Sequence, residues 1–235
     1  MPAPLSVIIP TPNAAADLPG TADALLAGAT GGLIRELVIS DGGSTDATLT
    51  AAREIGAVVV TGPPGRGGQI ARGVAAASGD WLLVLHADTR PAPGWTGAVR
   101  AHIAAHPGRA GWFRLRFRAP GVMARLVAGG ANLRARLLGL PYGDQGLLIS
   151  RSLLESLGGY PDLPLMEDVA LARKLRGRLR CLGPMAETSA EAYLRNGWVR
   201  RAAFNLTTLA RYLLGTPPET LARRYADQKP PTGPG

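Results

Sequence analysis

The triplet His86-Ala87-Asp88 stands directly behind a continuous apolar run, Trp81 to Leu85. Such a run, opened by the turn residues Ser78-Gly79-Asp80, reads as a buried strand. The triplet falls where that strand leaves its sheet, and the carboxyl ends of strands are where open α/β sheets bind ligands. A carboxylate placed there suits a hard cation such as Mg2+ or Mn2+. These ions take oxygen ligands, keep one or two protein carboxylates, and leave the remaining positions to water and substrate phosphates. Asp88, with His86 beside it, is therefore a candidate metal ligand. A simple turn cap ahead of Pro91 is the alternative.

Other polar stretches carry chemistry of a related kind. Thr11 and Asn13 follow a first apolar strand. Asp41 in "ISDGGS" suits a hydrogen-bond acceptor for a base or ribose, with glycines that let a backbone come close, or equally an Asx turn. Gly65-Arg66-Gly67-Gly68 would let an arginine and backbone amides approach a diphosphate, although a flexible loop explains it as well. It lacks the G-x-G-x-x-G spacing of a dinucleotide site. Glu167-Asp168 opens a helix, where the dipole favours acids; the preceding Pro-Leu-Pro-Leu-Met segment fixes the chain's entry and suits a positioned general base. His102 and His106 are four apart on a helix, a zinc-compatible spacing for which no third ligand is evident.

The elements that must hold these residues alternate. Strands are predicted at 5–10, 36–43, 57–62 and over "WLLVLHAD", with helices over 17–29, from Asp46 to Gly56, and over 69–78. That alternation implies right-handed crossovers and a mainly parallel sheet. Beyond residue 90 a helix starts at Pro93. "GWFRLRFR" then alternates Phe113, Leu115 and Phe117 with Arg114, Arg116 and Arg118, giving a strand with one covered and one basic face. An interrupted basic helix (121–139), a loop, a strand at 147–150, a helix up to Gly158-Gly159, a helix from Glu167 and a long amphipathic helix over 192–214 complete the pattern. The two basic amphipathic segments fit either packing on the sheet or lying in a membrane interface.

The 235 residues, 46% hydrophobic and 18% charged, describe an ordinary globular chain and exclude wholesale disorder. The formal charge is +9, nearly all of it arginine, since only Lys174 and Lys229 are lysines. Such a charge is compatible with phosphates, anionic lipid or nucleic acid. The lone Cys181 excludes an internal disulfide and points to a reducing compartment. The start "PLSVIIP" has no basic flank and does not read as a signal peptide, and no apolar run reaches the ~18 residues of a membrane span. The expected location is the cytoplasm, with the inner face of the membrane as a place of peripheral attachment.

Together these stretches resemble family 2 glycosyltransferases, inverting nucleotide-sugar enzymes of the GT-A fold. "SVIIPTPN" resembles the family's first strand and loop, "VISDGGSTDAT" its nucleotide-binding second strand, and "LLVLHADT" its D-x-D-type metal site. "PYGDQGLLISR", "LGGYPDLPLMEDVALARKLR" and "TSAEAYLRNGW" are similar to a bacterial subgroup of small stand-alone members.

The resemblance implies an α/β GT-A Rossmann-like domain over 1–190, with a nucleotide-binding half at 1–90 and an acceptor half at 91–190. Amphipathic helices over 191–228 and a disordered tail over 229–235 would follow. It implies that Pro10, Thr11, Asn13, Asp41, Gly42, Arg66, Gln69 and Ala87 surround the nucleotide diphosphate. Asp88 and His86 would hold Mn2+ or Mg2+, and Asp168, with Glu167, would be the base. Tyr142, Gly143, Asp144 and Gln145 would line the acceptor side. The donor would be a nucleoside-diphosphate sugar, UDP-linked, and no nucleic-acid partner is implied. Two departures stand out: Ala14 where the family has an acid, and Glu191-Ala192 where the subgroup has a basic pair. Nucleotidyl transfer is a weaker fit, because it needs a glycine-rich basic loop where this chain has "PTPNAAAD". A non-catalytic arginine-rich binder would show no metal-dependent nucleotide binding.

Overall fold

The computed structural model describes residues 3–226; the predicted tail at 229–235 lies outside them. β1 (Leu5–Thr11), α1 (Leu18–Thr30), β2 (Ile34–Asp41), α2 (Thr48–Glu54), β3 (Val58–Thr61), α3 (Arg66–Ala76) and β4 (Trp81–Val84) form the predicted alternation. There follow β5 (Arg90–Pro91), α4 (Trp95–Ala105), β6 (Ala110–Phe117), α5 (Val122–Leu138), β7 (Leu147–Ser150), α6 (Arg151–Ser156), α7 (Glu167–Lys174) and β8 (Leu179–Thr188). α8 (Glu191–Asn196), α9 (Trp198–Leu213) and α10 (Pro218–Ala226) close the chain.

All eight strands join one sheet in the order β3-β2-β1-β4-β7-β6-β8-β5. β3, β2, β1 and β4 are mutually parallel, β7 is antiparallel to both β4 and β6, and β8 is parallel to β6. β6 and β8 therefore point the same way as β1 and β4. The carboxyl ends of β1, β2, β4, β6 and β8 and the amino end of β7 consequently share one edge. Every side chain of β1 is buried, as expected for a strand covered on both faces. Leu5, Val7, Ile9, Leu83 and Phe113 pack beneath α1, α2 and α4. Ile8, Val38, Leu82 and Val84 pack beneath α3, α6 and α7. Pro10 costs no ladder bond. Ile8 accepts from Leu85 N, so Pro10 faces the same side one step on, beyond the end of β4.

Three expectations are corrected. α3 begins at Arg66 rather than at residue 69, so the glycine-rich stretch forms a first helical turn and not a flexible loop. α5 is continuous through Gly129-Gly130. The single helix over 192–214 is divided at Gly197, whose φ of 80° is left-handed. β8 (Leu179–Thr188) is a further strand for which the sequence offers no expectation. The structure absorbs Gly183-Pro184 in a bulge: Trp112 pairs with Cys181 but Arg114 with Met185.

Candidate active site

At the shared edge the ends of β1 and β2 are bound to each other through side chains. Thr11 Oγ1 donates to Asp41 Oδ1 at 3.0 Å, and Asp41 Oδ2 accepts from the amides of Gly43 (2.8 Å) and Ser44 (2.9 Å). The Ser44 hydroxyl also donates to Asp41. Burial opposes the charge of Asp41, but these donors outweigh it and lower its pKa. Asp41 thus builds an Asx turn with both carboxylate oxygens engaged. Asn13, in the left-handed region at φ 47°, accepts from Thr45 N at 2.8 Å. Gln69 reaches from α3 to donate to Thr11 O (2.7 Å) and Ser40 O (3.1 Å), lying against Gly42. Ala14 is buried with its amide on Thr48 Oγ1, so no side chain enters the site at that departure.

The chain leaves β4 at Val84 and turns through His86 to Thr89, where Thr89 N donates to His86 O at 3.1 Å. Ala87 O accepts from Thr21 Oγ1 at 2.6 Å. Asp88 Oδ1 lies 3.3 Å from the hydroxyls of both Thr89 and Thr188, while Oδ2 has no partner among the described residues. The Asp88 backbone carbonyl accepts from Arg118, which also reaches Asp17 at 3.3 Å. Burial and the neighbouring Asp17 raise the Asp88 pKa against the pull of Arg118 and Arg66. His86 Nε2 is buried without a partner, beside Gly143, where a Cβ would come within 2.4 Å of it. Burial, aided by Arg66, holds the ring neutral. Only glycine fits at 143 with His86 in place.

The turn Tyr142–Gln145 and the start of α7 lie within electrostatic reach of Asp88, since Asp144 feels the charges of both Asp88 and Asp168. Gly143 N donates to Asp168 Oδ2 at 2.8 Å and Val169 N to Oδ1 at 2.7 Å, which fixes the orientation of that carboxylate. Met166, left-handed at φ 64°, redirects the chain so that Glu167 and Asp168 open the helix. A non-glycine residue held there by packing is typical of functional sites. Glu167 is 1% exposed, and burial, then Asp168, push its pKa up to about 8. Arg66 Nε stands 3.8 Å from Glu167 Oε1 with its side chain 44% exposed. Asp144 Oδ1 is buried without a partner, and burial, opposed by Arg134, raises its pKa to about 6. The Arg134 guanidinium lies 3.4 Å over the Tyr142 ring. Gln145 is 0% exposed, with its amide directed at Phe113 O and Asn132 Oδ1, so it braces the turn from below and does not face the cleft.

This geometry unites an oriented carboxylate, a partly free one and an exposed arginine at the end of a parallel sheet, and sequence comparison agrees with it. The family described as Glycosyl transferase family 2 matches residues 6–127, just over half of the chain.

The chain belongs to this family.

Among solved structures, a mycobacterial protein is 24% identical, covering 87% of this chain and 73% of its own at a TM-score of 0.58, which shows the fold. Glucosyl-3-phosphoglycerate synthase from Mycobacterium tuberculosis, solved with Mn2+, UDP-glucose and phosphoglyceric acid, is 27% identical, covering 78% of this chain and 71% of its own at a TM-score of 0.56. The same synthase with Mg2+ and UDP is 25% identical over 79% of this chain and 68% of its own, with a TM-score of 0.51. No curated protein matches by sequence.

As a glycosyltransferase of this family, the chain has features that its motifs did not disclose. Thr188 and Arg118 support Asp88 from β8 and the end of β6. Only the "TSA" triplet and the basic face of β6 offered any signal of them. Glu191, at the other departure from the subgroup, is exposed and paired with Arg195. His102 is core, stacked edge-on against Trp81 and bonded through Nε2 to Arg109 O at 3.0 Å. Among the described residues no helix is long and apolar enough to cross a membrane.

Proposed function

We propose that this glycosyltransferase moves a sugar from a UDP-linked donor, held through a divalent cation at Asp88, to an acceptor hydroxyl, with inversion. The observation that carries the reading is Asp88 itself. One carboxylate oxygen is anchored by two threonine hydroxyls and the other has no partner among the described residues, within electrostatic reach of Arg66. A single carboxylate is the donor set that Mg2+ or Mn2+ takes when a diphosphate completes its shell. The mycobacterial synthase, with UDP-glucose and Mn2+ or UDP and Mg2+, supports this choice of donor and ion. When bound, the cation supplies charge neutralisation to the departing nucleoside diphosphate.

The remaining roles belong to the chain's own residues. The Asp41 turn, tied to β1 by Thr11 and Asn13 and to α3 by Gln69, shapes the floor under the nucleoside. Arg66 adds positive charge beside the diphosphate. Each oxygen of Asp168 accepts one amide and keeps a second lone pair, enough to take the acceptor's proton. The hydroxyl then attacks the anomeric carbon opposite the leaving group, which inverts its configuration. Tyr142 and Asp144 face the acceptor. His86, expected beside Asp88 as a second metal ligand, has Nε2 buried against Gly143 and is not assigned to the cation.

Calorimetric titration with UDP, GDP and dTDP, each with and without Mn2+, tests the reading. Mn2+-dependent binding of UDP is expected, abolished in Asp88→Ala. Asp168→Asn should still bind UDP with Mn2+ while turnover falls by about 10²–10⁴. Metal-independent binding, or undiminished turnover in Asp168→Asn, would overturn it.

A further inference from the structure

α5 and α9 each carry an apolar row on the side turned away from the core. On α9, Val199, Leu206 and Leu213 recur every seven residues, and on α5, Leu126, Leu133 and Leu137 share one face; all six are between 46% and 69% exposed. The inward faces are occupied: Ala124, Ala128 and Ala135 of α5 are buried, as are Arg201 and Thr208 of α9, with Leu209 at the border of its row. The two helices meet where Val127 and Ala131 approach Trp198 over β6, so both rows belong to neighbouring helices on one side of the sheet. Each helix also carries two exposed arginines eleven residues apart, Arg125 and Arg136 on α5, about a quarter turn from the row, and Arg200 and Arg211 on α9, about a third of a turn from it. Eleven residues is three helical turns, so each pair lines one flank of its helix. Neither helix contains an aspartate or glutamate.

We infer that this face docks on an anionic lipid surface. Leucine rows with arginine to one side, and no acid, match the apolar depth and negative headgroups of such a surface. A second copy would set arginine flanks against each other with no acids to answer them. Residues 227–235, "DQKPPTGPG", have no large apolar side chain with which to fill the rows. α5 runs directly into the Tyr142–Gln145 turn, and α8, which leads into α9, follows Thr188 closely. Docking would thus bring the acceptor side of the cleft close to the headgroups. The inference goes beyond the proposed sugar transfer and does not depend on it.

Co-sedimentation of the full chain with phosphatidylglycerol–phosphatidylcholine vesicles, and with phosphatidylcholine alone, tests it. Binding is expected only with the anionic vesicles and should weaken with salt. Leu126→Glu with Leu206→Glu should lower the partition coefficient by about tenfold or more. Replacing Arg125, Arg136, Arg200 and Arg211 with glutamine should weaken binding and flatten its salt dependence. Thermal unfolding and UDP–Mn2+ titration of the same variants should match the parent, which separates loss of docking from loss of fold or donor site. Absence of binding to anionic vesicles overturns the inference, as does equal binding of the leucine variant. Self-association of the protein alone that this variant abolishes would also overturn it, by assigning the face to a second copy.

Discussion

Glu167 shows how one side chain sets the charge of the site. Its neighbour Asp168 opens the same helix turn, Arg66 is 3.8 Å away, and burial dominates, pushing its pKa up to about 8. At neutral pH the acid keeps its proton, so Arg66 faces a neutral partner and its charge remains available to an anion. Deprotonation would pair Arg66 with a carboxylate and set that negative charge beside the diphosphate. Affinity for UDP with Mn2+ should therefore fall as pH rises through about 8, and Glu167→Gln should flatten that fall, both measurable by titration calorimetry. Stability carries the same sign. A carboxyl whose folded pKa is raised contributes most below its ordinary value, and the contribution is lost as pH climbs through the folded one. Urea unfolding at about pH 5 and about pH 9 should show the parent losing stability relative to Glu167→Gln across that range.

Among the elements, α3 depends on a close backbone approach. Gly67 N donates to Leu163 O at 3.1 Å, and a Cβ at position 67 would stand 2.3 Å from Pro161 O and 2.5 Å from Leu163 N. Those atoms are backbone and cannot rotate away. Gly67→Ala should cost about 1–3 kcal/mol of stability by chemical denaturation, since overpacking at a fixed contact forces shifts of that size. It should also weaken UDP binding, because Arg66 and the 161–166 segment that leads to Glu167 would separate. The sequence showed the glycines but not this reason for them, since the contact crosses nearly a hundred residues of chain. What was legible followed local rules: apolar runs for β1, β2 and β4, the alternation of β6, and the start of α7 at Glu167. β8 was hidden because Gly183-Pro184 breaks the local pattern and only pairing with β6 restores it. The same long-range pairing brings Thr188 to Asp88. Gln145 read as a polar loop residue facing a ligand, whereas its contacts with Phe113 and Asn132 place it in the interior.

The whole molecule is bound together at the site. Asp88 comes from the parallel half of the sheet; Thr188 and Arg118 come from the half beyond β7; Asp168 is tied to the Tyr142–Gln145 turn. A ligand spanning Asp88, Arg66 and the Asp41 turn touches β1, β2, β4 and α3 at once and engages only the folded arrangement. Mass action then requires it to stabilise the fold, by about 2.7 kcal/mol at a hundredfold excess over Kd. For a chain of this size each kcal/mol raises Tm by about 2–4 °C. UDP with Mn2+ should accordingly lift the unfolding transition by about 5–10 °C in scanning calorimetry. Asp88→Ala should lose that rise. Asp168→Asn should keep it, because the base acts on the acceptor and not on the donor. A rise of equal size in Asp88→Ala would move the cation away from the end of β4, and loss of the rise in Asp168→Asn would make that carboxylate part of donor binding.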